Sequence, residues 1–538
     1  MRFTRAVPLV VLGLGLGLVA GWSAPVAAQT LVFGAQGEPV SLDTAIIEDG
    51  ISQKITSQIY NTLVKYKGAT TEIEADLAEK WDVSADGKVW NLHLRKGVKF
   101  HDGEPLDAAA VVWNFERWWK TKHPQHENQL KAGQSFPYWE GQFDDFDDKS
   151  IVSDVKAVDA DTVRVTLKQP QAPFLANLAI FAFGIASPKA VEKWGVDYGK
   201  HPVGTGPFKF VEWKPNQEVV LDANPDYWGQ KAKVKRLVIR NIKDNSARLA
   251  ALKSGEVHGI EGINSDDLKS VTSDPNLYLV RRPANNTGYL AFNFHVKEFT
   301  DKRVREAFAH AINKKAVVDA FYGGLGLVAT QLQPPALWGY NKDIKDYEYS
   351  TARAQDLLKQ AGFANGLSEV TWQDGKKEPL VLWYMPRSRP YYPSPKEIAE
   401  AIAADLAKAG IKAQLQTVEW ANYLEKRKKG EMPLYMIGWT GDNGDPDNFV
   451  CFFFCPTNVP REGFYDNPPL SDVLKRAATL PTQAERAKLY RQAEQMIHDD
   501  VARIFVANAE PPLAFSKRVK GFVANPTATE FFNVVELQ

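Results

Sequence analysis

Hydrophobic positions along the chain follow two different periods. Around Asp86-Gly87, Trp90, Leu92 and Leu94 alternate with Asn91 and His93, a pattern that predicts a β-hairpin closed by a primed turn. Val163, Val165 and Leu167 share one face of another predicted strand, so the first third reads as sheet-rich. From about Thr300 the period lengthens. Val304, Phe308, Ala311 and Ile312 recur at helical spacing, and Ser394-Pro395 opens a helix that carries Ile398, Ile402 and Leu406 and stops at Gly410. Ile411, Ala413, Leu415 and Thr417 then alternate as a strand, which with the apolar run at 380–385 makes a strand-helix-strand unit; a further strand is expected at 433–439. No repeat or low-complexity tract interrupts this α/β texture. Loops at the C-terminal ends of such strands are where ligands gather.

A chain of 538 residues exceeds what one hydrophobic core supports, so at least two lobes are expected. Sixty-five basic residues balance sixty-five acidic ones, and no global field points to nucleic acid or a membrane surface. At the N-terminus, Arg2 and Arg5 precede the apolar run VPLVVLGLGLGLVAG and the small residues of SAPVAAQT. That is the pattern of a secretory signal peptide, 1–28, cleaved after Ala28; the run is shorter than the roughly 20 residues a membrane span needs. The two cysteines of CFFFC, Cys451 and Cys455, would then enter an oxidising compartment as a local disulfide or as two free thiols.

Two charged residues stand in loops after predicted strands: Arg389 in MPRSRPYYPSP and Asp442 in GWTGDNGDPDNF. If the loops are neighbours, a guanidinium and a carboxylate share one cleft, an arrangement suited to a zwitterion such as a short peptide. Trp420 and Trp439 each end a predicted strand in the same segment, either walling a pocket or packing at the sheet edge. The aspartate-rich stretch fails as a calcium loop, because counting from Asp442 or Asp445 puts no glycine sixth and no carboxylate twelfth. Asp445, Pro446 and Asp447 are expected to form a turn and a helix N-terminus. GxSxG, HExxH and GxxxxGK[ST] motifs are lacking after the leader, and His123 and His126 in HPQH read as solvated surface.

The segments LAEKWDVSADGKVWNLHLRKGVKFHDGEP, VGTGPFKF, NPDYWG, NNTGYLAFN, VREAFAHAINKKAVV, VEWANYL and GWTGDNGDPDNF occur in this order along nearly the whole chain. Together they resemble the bacterial solute-binding proteins of the peptide and nickel family, family 5, which feed ABC importers; the last motif marks the dipeptide-type branch. The resemblance implies a two-lobed, hinge-closing α/β fold. Lobe I would be discontinuous, 29–287 and 513–538, with an inserted subdomain at about 66–205. Lobe II would occupy 288–512, with one hinge crossing in 285–293. It also implies that Asp442 takes a ligand α-ammonium and Arg389 its α-carboxylate, that Trp420, Trp439 and Tyr391 line side-chain pockets, and that the loop around Gly50 closes from the other lobe. EDGIS, 48–52, departs from the small polar loop of that branch by its extra acids, and CFFFC is unlike its cysteine arrangement. The expected function is non-enzymatic: periplasmic, cofactor-free capture of dipeptides by a monomer that delivers them to an ABC permease and its ATPase. Haem, aminolevulinate, glutathione, an opine or a nickel chelate are the alternative ligands, and an exported hydrolase is the alternative class.

Overall fold

The computed structural model describes residues 29–455 and 463–538, so the expected leader at 1–28 lies outside the described residues. Two large mixed sheets organise the chain. The first has seven strands, in the order Leu277–Arg281, Pro512–Ser516, Gly259–Glu261, Thr30–Ala35, Arg236–Asn241, Glu218–Ala223 and Phe208–Lys214. The second has six: Gly326–Val328, Arg503–Ala509, Asn286–Phe292, Leu434–Thr440, Val381–Trp383 and Gln414–Gln416. The chain passes from the first sheet to the second between Arg281 and Asn286, and back between Ala509 and Pro512. Both crossings are short segments without regular secondary structure, the form a hinge between two lobes takes.

A four-stranded antiparallel sheet, Ala78–Val83, Val89–Leu94, Thr162–Leu167 and Val152–Asp159, forms a third layer with the helix Ala108–Trp119. Aromatic rings fill the space beneath it: Trp118, Trp139, Phe143 and Phe183 are all buried and in mutual ring contact. That rigid aromatic core holds the helix Pro137–Phe143, whose Tyr138 reaches the cleft between the lobes.

The second sheet follows its sequence pattern closely. Asp301 caps the helix Lys302–Ala311, which buries Val304, Ala307, Phe308 and Ala311 on one face. Pro395 starts the helix Pro395–Lys408, and Gly410, at φ +84°, ends it by taking the left-handed conformation that side chains resist. The strands on either side, Val381–Trp383 and Gln414–Gln416, pair in parallel, giving the expected strand-helix-strand unit. The central strand Asn286–Phe292 is buried at every position because helices cover both faces, which is why it shows no alternation.

Three local expectations are corrected. The Asp86-Gly87 connection is not a primed turn. Only Gly87 has positive φ (+71°), and the loop is closed by Ser84 N–H to Val89 O (2.9 Å) and Gly87 N–H to Ser84 O (2.8 Å). Asp86 accepts from Ser84 Oγ and the Lys88 N–H, which keeps its own backbone out of the left-handed region. Trp420 does not end a strand but begins the helix Trp420–Lys429. His126 is buried, stacked on Phe136 with ring centroids 4.2 Å apart and with Nδ1 2.8 Å from the Arg117 carbonyl, while His123 caps the helix Pro124–Lys131.

Candidate ligand-binding site

A cavity of about 670 Å³ lies between the two sheets. Asp442, Arg389, Trp420, Trp439, Tyr391 and Gly50 all line it, from four separate stretches of sequence. A second cavity of about 710 Å³ sits at the 381–383 and 414–416 side of the second sheet, where Lys426 pairs with Glu431 at 2.7 Å and Glu378 with Lys376 and the Trp372 Nε1–H.

The carboxylate end grows from the strand Leu434–Thr440. At Gly441 the chain leaves the sheet through a tight gap, where the N–H donates to Asn285 O (2.8 Å) and a Cβ would meet Phe449 at 2.5 Å. The loop beyond is tied by its own side chains. Asn443 Oδ1 accepts from the Asp445 N–H (2.9 Å), and Asp445 Oδ1 from the Asp447 N–H (3.0 Å), starting the helix Asp447–Phe454. Asn448 Oδ1 accepts from both the Asp442 N–H (2.9 Å) and Trp439 Nε1–H (3.1 Å). The three aspartates then diverge in role. Asp445 makes a bidentate, buried ion pair with Arg486, both bonds 2.7 Å, and Asp447 accepts from the Tyr490 hydroxyl at 2.9 Å.

Asp442 has only neutral partners: Asn448 Nδ2–H donates to Oδ2 (3.2 Å), and the Tyr138 hydroxyl donates to Oδ1 (3.2 Å) from across the cleft. Burial pushes its carboxyl up to about 6, against the pull of those two hydrogen bonds, and Glu48 adds repulsion. A half-buried carboxylate without a counter-cation is the complement of an incoming ammonium.

The guanidinium end stands on the loop after Val381–Trp383. Arg389 and Tyr392 exchange backbone hydrogen bonds (3.0 and 2.9 Å), making a tight turn that aims the Arg389 side chain into the cavity. Tyr391, inside that turn, is fixed from two sides. Tyr322 donates its hydroxyl to Tyr391 O (2.7 Å), and the ring lies against Gly438, whose cross-strand partner is Gly288. The Arg389 guanidinium sits 5.1 Å from the Trp420 ring centroid, while its Nε is buried and finds no hydrogen-bond partner among the described residues. Trp420 stacks on Tyr423 (5.7 Å, 14°) and Trp439 on Phe452 (4.4 Å, 24°), so both indoles combine pocket lining with packing.

Lobe I closes the cavity with a helix rather than a loop. Gly50 is the first residue of the helix Gly50–Ile59, capped by Asp49, whose Oδ1 accepts from the Ile51 and Ser52 N–H groups. Behind it lies a buried network in which Lys54 pairs with Glu261 (3.1 Å) and Glu530 (3.6 Å), and Arg282 with Glu530 (2.5 Å). Burial alone would raise the Glu261 carboxyl; Lys54 and Arg282 hold it below the usual range. Tyr138 and this network were not signalled by sequence, since neither lies in a periodic run beside the other site residues. Cys451 and Cys455 are joined in a disulfide, at the end of the helix that begins with Asp447. Among the described residues, no group of three or more His, Cys, Asp or Glu side chains could hold a metal ion, and no helix is long and apolar enough to cross a membrane.

Known proteins are similar to this chain over almost its whole length. The chain is 37% identical to the dipeptide-binding protein of Escherichia coli strain K12, covering 98% of each. It is 36% identical to heme-binding protein A of Haemophilus influenzae, over 94% of this chain and 91% of that one. Among solved structures, the DppA periplasmic binding protein of Helicobacter pylori, in complex with the peptide STSA, superposes with a TM-score of 0.78 at 33% identity, over 94% of this chain and 98% of that one. The model for "bacterial extracellular solute-binding proteins, family 5 middle" matches residues 72–461. With two sheets hinged about a cleft and this end-to-end likeness, the chain belongs to the family 5 solute-binding proteins.

Proposed function

We propose that the protein is the exported, dipeptide-capturing component of an ABC importer. Asp442 receives the α-ammonium, Arg389 receives the α-carboxylate, and Tyr391, Trp420 and Trp439 line the space for the side chains. One observation carries this reading: a carboxylate and a guanidinium, neither paired with an opposite charge, line the same interlobe cavity. Fixing both ends of the ligand selects its length, because each added residue moves the carboxylate by roughly 3.5 Å. The tryptophan and tyrosine walls contact side chains without reading particular donors, so sequence variety is tolerated. The two lobes, one on each large sheet, close about the crossings near 282–285 and 510–511, a few residues from the expected boundaries at 287/288 and 512/513, and the closed surface docks on the permease. The leader pattern at 1–28 supports release into the periplasm, and the ligand is passed on unaltered, as a monomeric carrier requires.

Native mass spectrometry of protein purified from cells, with the bound molecule released and identified, tests this directly. Adducts in the mass range of mixed dipeptides, lost on Asp442→Asn, are the expected result. Release of haem or another single non-peptide species would place the ligand elsewhere in the family's range and remove the roles given to Asp442 and Arg389.

A further inference from the structure

The acidic end of the cavity holds more negative charge than one ammonium neutralises. Glu48, Asp49 and Asp442 line it together, and none of them forms an ion pair. Asp49 spends Oδ1 on the helix cap, while its Oδ2 is buried with no hydrogen-bond partner. Glu48 is exposed and bonds to nothing among the described residues. All three acids act on one group: the Tyr138 hydroxyl is held well above its ordinary pKa, first by burial and then by Asp442, Glu48 and Asp49 in turn. They surround the same corner, yet they do not converge as metal ligands do. The remaining charges on this wall cancel, Lys54 and Arg282 against Glu261 and Glu530. Arg389, over the Trp420 ring, opposes a cation on that side.

We infer that the site prefers dipeptides whose first residue carries a cationic side chain, such as lysine, ornithine or arginine, with that side chain set against Glu48 and Asp49 while the α-ammonium meets Asp442. The inference rests on the dipeptide reading above and adds its substrate preference. A dispersed set of carboxylates around a solvated corner suits a flexible ammonium or guanidinium better than a small ion. A cationic second residue gains nothing, because its side chain departs toward Arg389.

Titration calorimetry at low ionic strength with Lys-Ala, norleucyl-Ala, Ala-Lys and Ala-Ala separates charge from stem packing. Lys-Ala is expected to bind roughly tenfold more tightly than norleucyl-Ala, a gain that shrinks with added salt, and Ala-Lys is expected to show no gain over Ala-Ala. Glu48→Gln and Asp49→Asn, the latter keeping a helix-capping side chain, should each reduce the Lys-Ala to norleucyl-Ala ratio, and together bring it near one. Equal affinities for Lys-Ala and norleucyl-Ala in the unmodified protein, or a ratio untouched in the double variant, overturn the preference while dipeptide binding stands. Failure to bind any of the four overturns the dipeptide reading itself and the preference with it.

Discussion

Gly438 offers Tyr391 a bare backbone to lie on: a Cβ at this glycine would stand 2.3 Å from Tyr391 Cδ2. Gly288, directly opposite on the neighbouring strand, leaves the same gap, with a Cβ there only 2.7 Å from Tyr391 O. The turn that carries Arg389 is thus seated on two paired glycines. Gly438→Ala should push that turn away from the sheet, lowering stability by about 1–3 kcal/mol and weakening dipeptide binding at least several-fold. Denaturant unfolding and calorimetry of the same variant check both, and an unchanged affinity would show that Arg389 is not positioned by this seat.

Removing either charged anchor should separate binding from folding. Asp442→Asn keeps the shape and the two neutral hydrogen-bond partners but removes the charge, and Arg389→Ala removes a guanidinium that no described residue neutralises. Each is expected to cost about 2–5 kcal/mol of dipeptide affinity while the melting temperature stays close to that of the parent protein. Parent-like affinity in either variant, measured by calorimetry, would end the anchor assignment.

Proton linkage gives an independent handle on Asp442. Its carboxyl, raised from 3.8 to about 6, holds a proton more tightly in the folded protein than in the unfolded chain, so this group's contribution to stability declines as pH rises from about 4 to about 6. Asp76 and Asp447, also raised to about 6 by burial, act in the same direction on stability. A ligand ammonium acts oppositely on Asp442 alone, favouring the carboxylate. Dipeptide binding near pH 5.5 should therefore release a proton, and affinity should fall as pH drops from 6 toward 4. Calorimetry in buffers of different ionisation enthalpy reads that proton, which should vanish in Asp442→Asn.

The buried ion pair behind the anchor loop predicts a different phenotype. Arg486→Ala leaves the Asp445 carboxylate buried and unpaired beside Asp447, and should destabilise the protein by about 3–5 kcal/mol. Arg486→Met with Asp445→Asn, which removes both charges, should recover part of that loss. Equal unfolding midpoints for the parent and Arg486→Ala would mean that the pair does not anchor the loop.

What was legible in the sequence was what repeats locally. The strand-helix-strand unit around Pro395–Lys408 showed in the spacing of Ile398, Ile402 and Leu406, and the positions of Arg389 and Asp442 followed from the strands that precede them. Contacts between distant segments leave no such trace. Tyr138 meets Asp442 across 304 residues, Arg486 meets Asp445 across 41, and the Gly288–Gly438 pair exists only once the two strands are in register. His126 misled for a related reason: a polar neighbourhood in sequence says nothing of Phe136, which folds over the ring. Trp420 followed an apparent strand pattern that ends at Gln416, after which the chain turns into a helix.

The loop that carries Asp442 is braced within its own lobe, by Arg486 through Asp445 and by Asn448. Its conformational entropy is lost when the chain folds, not when the ligand arrives. Encounter rates should therefore vary little from one dipeptide to another, and selectivity should be written in residence times: a well-matched ligand is one that leaves slowly.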